Sequence, residues 1–135
     1  MTLHDVPLFT LLKGRLGHLT QRQRLISQNV ANADTPGYVG RDLGRFTFSD
    51  ALKAQRGPDG MARTNAAHLA GPKRADAVWK SHSAPDSSTT LDGNAVVLEE
   101  QMMKMAESRA DYEAAVGFYQ KSLGLMRLAA KRPGG

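Results

Sequence analysis

Two stretches of apolar residues with heptad spacing, one near each end of the chain, constrain the fold more than any other feature. This spacing keeps one face of a helix against a partner helix. We predict a first helix over about residues 7–33 and a second that begins after residue 91. We use seam for the line of residues facing the partner helix. In the first helix the predicted seam comprises Phe9, Leu12, Leu16, Leu19, Gln23, Ile26, Val30 and Ala33. In the second it comprises Leu98, Met102, Met105, Arg109, Tyr112, Val116, Tyr119, Leu123, Met126 and Ala130.

The predicted fold is mainly α, with long N- and C-terminal helices paired as a coiled-coil-like hairpin and an irregular, partly extended middle segment. Residues 1–38 hold the first helix and a turn, 39–91 the middle segment, and 92–135 the second helix. We expect both termini to form one core domain. In the middle segment, Phe46 and Phe48 alternate with polar neighbours as a candidate strand, and residues 49–54 are a candidate helical turn. Asp92-Gly93-Asn94 offers turn and N-cap residues for the second helix.

Both helices also carry apolar residues outside the seam: Leu8, Leu11, Leu25, Val97, Met103, Phe118 and Leu125. A two-helix hairpin leaves these exposed unless the middle segment folds over them. Exposed apolar surface on both helices is typical of further protein partners, so we favour packing between molecules. Gln23 and Arg109 are the polar residues within the predicted seam. We predict that they set the register of the helices, because polar groups at seam positions penalise wrong packing.

The net charge of +5 raises the prior for nucleic acid as a partner. The basic residues are spread out, however, and the residues from 92 onward carry six basic and six acidic side chains. We therefore expect no nucleic acid as a partner. A basic helical nucleic-acid-binding protein and a soluble partner-binding adaptor remain the alternative functions. There is no cysteine, which excludes disulfides and thiolate metal sites. No apolar run reaches the length that spans a bilayer, so we predict no direct membrane insertion.

The residues that usually carry catalysis form no recognisable pattern in this chain. The histidines are scattered at His4, His18, His68 and His82, without the spacing of metal ligands. There is no glycine loop of the kind that cradles phosphate. We therefore predict no catalytic residues, no metal, no cofactor and no enzymatic activity.

A sharp turn is predicted where the first helix ends. Thr35 precedes proline and must be extended, and Pro36-Gly37 fits the central pair of a type II turn. We expect Asp34 to accept a hydrogen bond from the turn backbone, and the amides of Asn29 and Asn32 to bind the backbone of an adjacent element. The candidate assembly and turn motif comprises Asn29, Asn32, Asp34, Thr35, Pro36, Gly37 and Tyr38.

The string Asn29-Val30-Ala31-Asn32-Ala33-Asp34-Thr35-Pro36-Gly37-Tyr38 closely resembles the signature of the bacterial flagellar rod and axial protein family. Residues 22–26, 41–43 and 91–96 resemble the proximal rod subunit of that family. Another small rod protein of the family is the alternative, but it typically lacks an intact Thr-Pro-Gly-Tyr. The resemblance covers both termini, about two-thirds of the chain. Gly40, Gly44-Arg45 and Val97 depart from the family pattern, and the first two affect the expected path of the middle segment.

The resemblance implies a structural subunit of the flagellar basal-body rod, polymerising by helix packing to transmit torque for motility. The implied partners are other copies of the chain, other rod proteins, and the membrane-ring and export-gate proteins at the rod base. It also implies a place in the periplasmic rod after export by the flagellar type III apparatus. The first residues agree with that route, since they lack the charged-then-apolar layout of a Sec signal. Each helix alone is only marginally stable, so we expect the chain to become ordered on assembly.

Overall fold

The computed structural model describes residues 7–51 and 79–130. Its elements are α1 (Pro7–Ala31), β1 (Arg41–Leu43), β2 (Ser81–Ser83) and α2 (Leu98–Ala130). Residues 48–51 are also helical, and the rest of the predicted helical turn lies outside the described residues. The predicted fold class is confirmed, because the two long helices pack together beside a less regular middle segment.

The helix pair is antiparallel. Phe9 near the start of α1 meets Tyr119 of α2 edge to face, with ring centroids 5.4 Å apart. Asn29 near the end of α1 meets Gln101 in the first turn of α2. Proline at the first position of α1 suits a helix start, since its missing N–H has no intrahelical partner there. The pair therefore runs along the whole of α1, about 37 Å at the usual rise per residue.

Most of the core lies between α1 and its neighbours. Of the residues predicted for the α1 seam, Phe9, Leu12, Leu19 and Ile26 are buried and Leu16 is partly buried. Val30 is exposed, contrary to the prediction, because the last turn of α1 directs Asn29 inward instead. Leu25, outside the predicted seam, is buried as well. The middle segment therefore does cover part of α1, as β1 packs against that helix.

On α2 the residues facing α1 lie one position before the predicted ones. Gln101 and Ser108 are fully buried and Ala115 is 6% exposed, at seven-residue spacing. The predicted Leu98, Met102, Arg109, Tyr112 and Met126 are exposed, whereas Met105, Val116, Tyr119 and Leu123 are partly buried at the edge of the seam. The prediction was wrong here because it followed apolar residues. The most buried side chains of α2, Gln101, Ser108 and Ala115, are hydrogen-bonded or small.

The strand predicted at Phe46 and Phe48 is also wrong. The short sheet instead pairs β1 with β2 in antiparallel register, with Arg41 opposite Ser83. Phe46 follows β1 in an irregular stretch, and its ring lies 5.5 Å from that of His18 on α1. An isolated parallel bridge joins Val39 to Ala95, which brings the segment before α2 alongside the segment after α1.

Candidate functional site

The chain turns sharply after α1, as the sequence predicts. The amide of Tyr38 donates to the carbonyl oxygen of Thr35 at 3.2 Å, and Gly37 has a φ of 71°. These are the marks of a type II turn with Pro36 and Gly37 at its centre. Asp34 is exposed, and the side chain of Asn32, rather than that of Asp34, accepts the hydroxyl hydrogen of Thr35 at 3.2 Å.

Asn29 uses the full hydrogen-bonding capacity of its amide in a buried position. Its Nδ2 donates to the carbonyl oxygen of Arg41 at 2.9 Å and to Oε1 of Gln101 at 3.0 Å. Its Oδ1 accepts from the amide of Arg41 at 2.9 Å and from the hydroxyl of Tyr38 at 3.1 Å. A single side chain therefore joins α1, the turn, β1 and α2. The contact predicted for Asn29 with the backbone of an adjacent element therefore lies within this chain, whereas the amide of Asn32 donates to the carbonyl oxygen of Gln28 in α1 at 2.8 Å.

The second motif, Asp92-Gly93-Asn94, binds the turn directly. Nδ2 of the buried Asn94 donates to the carbonyl oxygens of Asn32 at 2.9 Å and Thr35 at 2.7 Å. In return, the amide of Gly37 donates to the carbonyl oxygen of Asp92 at 2.9 Å. We call this unit, residues 32–38 with residues 92–94, the turn lock. The N-cap role predicted for residues 92–94 is wrong, because α2 begins only at Leu98.

Two glycines let the halves of the turn lock approach each other. Gly37 and Gly93 have φ values of 71° and 84°, a region that side chains with a Cβ rarely adopt. A Cβ on Gly93 would lie 3.4 Å from the Cα of Gly37. The contact is therefore backbone against backbone, and residues from opposite ends of the sequence form one compact unit.

Asp86 is the residue of this region that sequence reasoning missed. Its side chain is fully buried and accepts hydrogen bonds from Nζ of Lys104 at 2.6 Å, Nε2 of Gln101 at 2.8 Å and the amide of Val97 at 2.8 Å. Burial by itself raises the pKa of Asp86, but these hydrogen bonds outweigh it and hold that pKa below its usual value. Gln101 donates to Asp86 and accepts from Asn29, so hydrogen bonds connect this buried carboxylate to Asn29.

Ion pairs add to the connection between α1 and its neighbours. Arg15 pairs with Asp111 of α2 at 2.7 Å. Arg22 binds both carboxylate oxygens of Asp42 in β1, at 3.1 and 3.3 Å, and lies 3.6 Å from Glu107 of α2. Fork-shaped pairing of this kind fixes geometry as well as charge. The two arginines therefore orient the helices and β1 relative to one another.

Large apolar side chains form an exposed part of the surface of α2. We call this the outer face of α2, defined by Met102, Met103, Phe118, Leu125 and Leu128, which are 58–67% exposed. A shallow groove elsewhere on α2, which shares only Met102 with this face, is lined by Met102, Met105, Ala106, Arg109, Ala110 and Glu113. Of the two register candidates, Arg109 lies in this groove, and only Gln23 lies between the helices, where it donates to the carbonyl oxygen of Ser108 at 3.3 Å.

Within residues 7–51 and 79–130, no group of three histidine, aspartate or glutamate side chains is placed to hold a metal ion. In the same residues, no helix combines the length and the apolarity needed to cross a membrane. The described surface carries exposed apolar side chains on α2, and buried hydrogen bonds join this helix to α1.

The amino-acid sequence is similar to those of known proteins. The family model described as flagella basal body rod protein matches residues 13–38, which contain most of α1 and the turn. A flagellar basal body rod protein FlgB of Agrobacterium fabrum is 27% identical over 133 residues, which cover 97% of this chain and 98% of the relative. The FlgB of Cereibacter sphaeroides is 30% identical over 113 residues, 82% of this chain and 83% of the relative. The chain belongs to the FlgB family of flagellar basal body rod proteins. The FlgB of Escherichia coli is 31% identical over 107 residues, covering 71% of this chain and 72% of the relative.

FlgB membership confirms the resemblance drawn from the turn string. The family-model match ends at Tyr38, whereas Asn94, which binds that turn, lies 56 residues farther on. The relatives in Agrobacterium and Cereibacter align over enough of the chain to include both halves of the turn lock. In this FlgB-family chain, the two sequence motifs are therefore parts of one structural unit.

Proposed function

We propose that this chain is a structural, non-enzymatic subunit of the flagellar basal-body rod, placed at its proximal end. It polymerises through its helices and transmits torque for flagellum-dependent motility. FlgB-family membership supports the rod assignment. The single observation that supports assembly through helices is the outer face of α2, which nothing in the described part of the chain covers.

The five side chains that define that face are each more than half exposed. Met102, Met103 and Phe118 are 65, 66 and 65% exposed, and Leu125 and Leu128 continue the surface toward the end of α2. Large apolar side chains exposed in this number on one helix are typical of a protein-binding surface. Each large apolar side chain that becomes buried contributes about 1.5–3 kcal/mol, so the face supplies a strong drive to associate.

The interior of the fold complements that surface. Asn29, Asn94 and Asp86 bind the turn, the strand and the start of α2 through buried hydrogen bonds. A subunit that carries mechanical load needs its binding surfaces held in fixed relative positions. In this proposal the turn lock transmits force between the two helices, and the outer face transmits it to the next subunit.

The partners are other copies of this chain and other rod proteins, which bind along the outer face of α2. At the rod base we propose contacts with the membrane-ring and export-gate proteins, after export by the flagellar type III apparatus. We also propose that residues 1–38 and 92–135 form one axial core domain. The contacts between residues 32–38 and 92–94 support that division, since they join the two termini.

The test is a deletion of the gene followed by complementation. Without the chain, rods are expected to stop at the inner-membrane ring and cells to lose motility. Complementation with the unchanged gene restores swimming. The variants Met103→Asp and Phe118→Asp place a charge on the outer face, and the matched control is Gln120→Asp, an exposed polar position of the same helix. The two face variants should fail to restore motility, and the control should succeed.

Two results would contradict this proposal. Complete hooks in the deletion strain would remove the proximal rod assignment. Full motility with both face variants, present at normal levels, would show that assembly does not use the outer face of α2. Circular dichroism of the purified variants checks that α1 and α2 are retained, which the high exposure of both positions favours.

A further inference from the structure

His18 is a buried titratable group that the rod assignment does not use. It lies on α1 and is only 3% exposed. Its Nε2 lies 2.8 Å from the carbonyl oxygen of Gly44. A carbonyl oxygen can only accept a hydrogen bond, so Nε2 must carry the hydrogen. In the neutral ring, Nδ1 then carries no hydrogen.

Two aromatic rings from distant parts of the sequence pack around His18. The ring of Phe46 lies 5.5 Å away, and that of Trp79 lies 5.6 Å away in an edge-to-face arrangement. Trp79 also fills the space over Gly17, where a Cβ would lie 2.8 Å from its Cη2. We call His18, Phe46 and Trp79 the aromatic clasp, because it holds residues 44–46 and Trp79 on one turn of α1.

The clasp has no place for a second hydrogen on the imidazole. Nδ1 of His18 is buried and has no hydrogen-bond partner among the described residues. A protonated ring would therefore bury an N–H without an acceptor, in addition to burying a charge. Either the ring stays neutral or the packing around it opens.

The charged groups near His18 oppose its protonation as well. On α1, Arg15 and Arg22 flank it with positive charge, and Asp42 of β1 is the nearby carboxylate that favours the charged ring. Asp42 is engaged by Arg22, while Glu107 and Asp111 of α2 pair with Arg22 and Arg15. Burial is the largest effect and, together with the arginines, it outweighs the Gly44 hydrogen bond and Asp42, so the pKa of His18 lies below its usual value of 6.5.

We propose that His18 is an acid-sensitive switch, whose neutral ring holds residues 44–46 and Trp79 on α1 and whose protonation releases them. The switch works within one chain and is independent of assembly into a rod. Because the unfolded or opened state binds the proton more readily, acid favours the opened state. The clasp is fully closed above pH 6.5 and opens as the pH falls below that value, toward the lower pKa of the closed state.

Trp79 reports on the clasp directly, because it is the only tryptophan of the chain. The experiment records its fluorescence emission on the full-length protein between pH 8 and pH 4.5, with helix content followed by circular dichroism at 222 nm. We expect a red shift of the emission below pH 6.5, at a pH where the helix signal is still retained. A titration of the imidazole protons by NMR on the same protein should show His18 protonating with the same midpoint.

The variant His18→Gln separates protonation from packing, since a glutamine amide can still donate to the Gly44 carbonyl but takes up no proton. It should remove the emission change over this pH range. The matched control, His82→Gln, changes an exposed histidine of β2 and should leave the change intact. Unchanged wild-type emission across the range, or a transition that survives in His18→Gln, would overturn the switch. An NMR midpoint of His18 at or above 6.5 would do so too, even if His18→Gln failed to fold.

Discussion

Nδ2 of Asn29 donates a hydrogen bond to Oε1 of Gln101 at 3.0 Å, across the helix pair and between residues 72 positions apart in the sequence. Both side chains are buried, and each makes its other hydrogen bonds to a different element. Asn29 bonds to β1 and the turn, and Gln101 bonds to Asp86. This pair therefore joins the hydrogen bonds around Asn29 and those around Asp86 into one network.

A double-mutant cycle on Asn29 and Gln101 measures that connection. We expect Asn29→Ala and Gln101→Ala each to lower the free energy of unfolding, and the double variant to lose less than the sum by about 1–2 kcal/mol, as for residues in one network. Urea unfolding followed by circular dichroism gives all four values. The matched cycle on Arg15 and Asp111, a partly exposed ion pair, should give a coupling below about 1 kcal/mol. Additive losses at Asn29 and Gln101 would rule out a shared network.

Asn94 is expected to be the most sensitive residue of the turn lock. Asn94→Ala removes both donors that bind the carbonyl oxygens of Asn32 and Thr35, and leaves the amide of Val96 unpaired. The loss of unfolding free energy should be about 2–3 kcal/mol, because buried polar groups lose their partners. Asn32→Ala is the matched control in the same unit, at a less buried position. It should lose clearly less in the same urea titration, and equal losses would contradict the role assigned to Asn94.

The stability of the fold should fall in acid through Asp86. Its folded-state pKa lies below the usual 3.8, so its contribution is complete above that pH and is lost as the pH falls toward the lower folded-state value. Asp86→Asn should be less stable than the wild type at neutral pH and should show a shallower loss below pH 4. Asp34→Asn, at an exposed aspartate, serves as control and should follow the wild-type curve. Parallel curves for wild type and Asp86→Asn would exclude this role of the carboxylate.

Glycine-to-alanine changes at two positions should have opposite effects on the free energy of unfolding. Gly93→Ala forces a Cβ into a φ of 84° and toward Gly37, so we expect a loss of about 1 kcal/mol or more. Gly117 lies inside α2 with open space where the methyl group of an alanine would point, and Gly117→Ala should gain about 1 kcal/mol through helix propensity. Thermal unfolding of the two variants beside the wild type checks both signs. A gain at Gly93 would contradict the backbone contact in the turn lock.

The sequence predicts the parts of this fold that depend on local rules. The bounds of α1 follow from Pro7 and from the turn residues, and the type II turn follows from Pro36 and Gly37. Both rest on backbone restrictions that act within a few residues. The family resemblance likewise depends on a continuous string.

Tertiary partners decide the features that the sequence does not predict. The seam of α2 runs through Gln101, Ser108 and Ala115, whose polarity or small size hides them from an apolar pattern. Asp86 lies in a polar stretch without any local sign of burial, and its importance arises from Lys104, Gln101 and Val97. The strand at residues 41–43 is fixed by Asn29 and by pairing with β2, rather than by its own composition.

Cryo-electron microscopy of basal bodies purified from the complemented strain tests the rod assignment most directly. The α1–α2 pair should fit density at the proximal end of the rod, with Met103 and Phe118 on the outer face of α2 buried against a neighbouring subunit. Rod density that does not accommodate this helix pair, or an outer face of α2 that remains in solvent in the assembled rod, would contradict it.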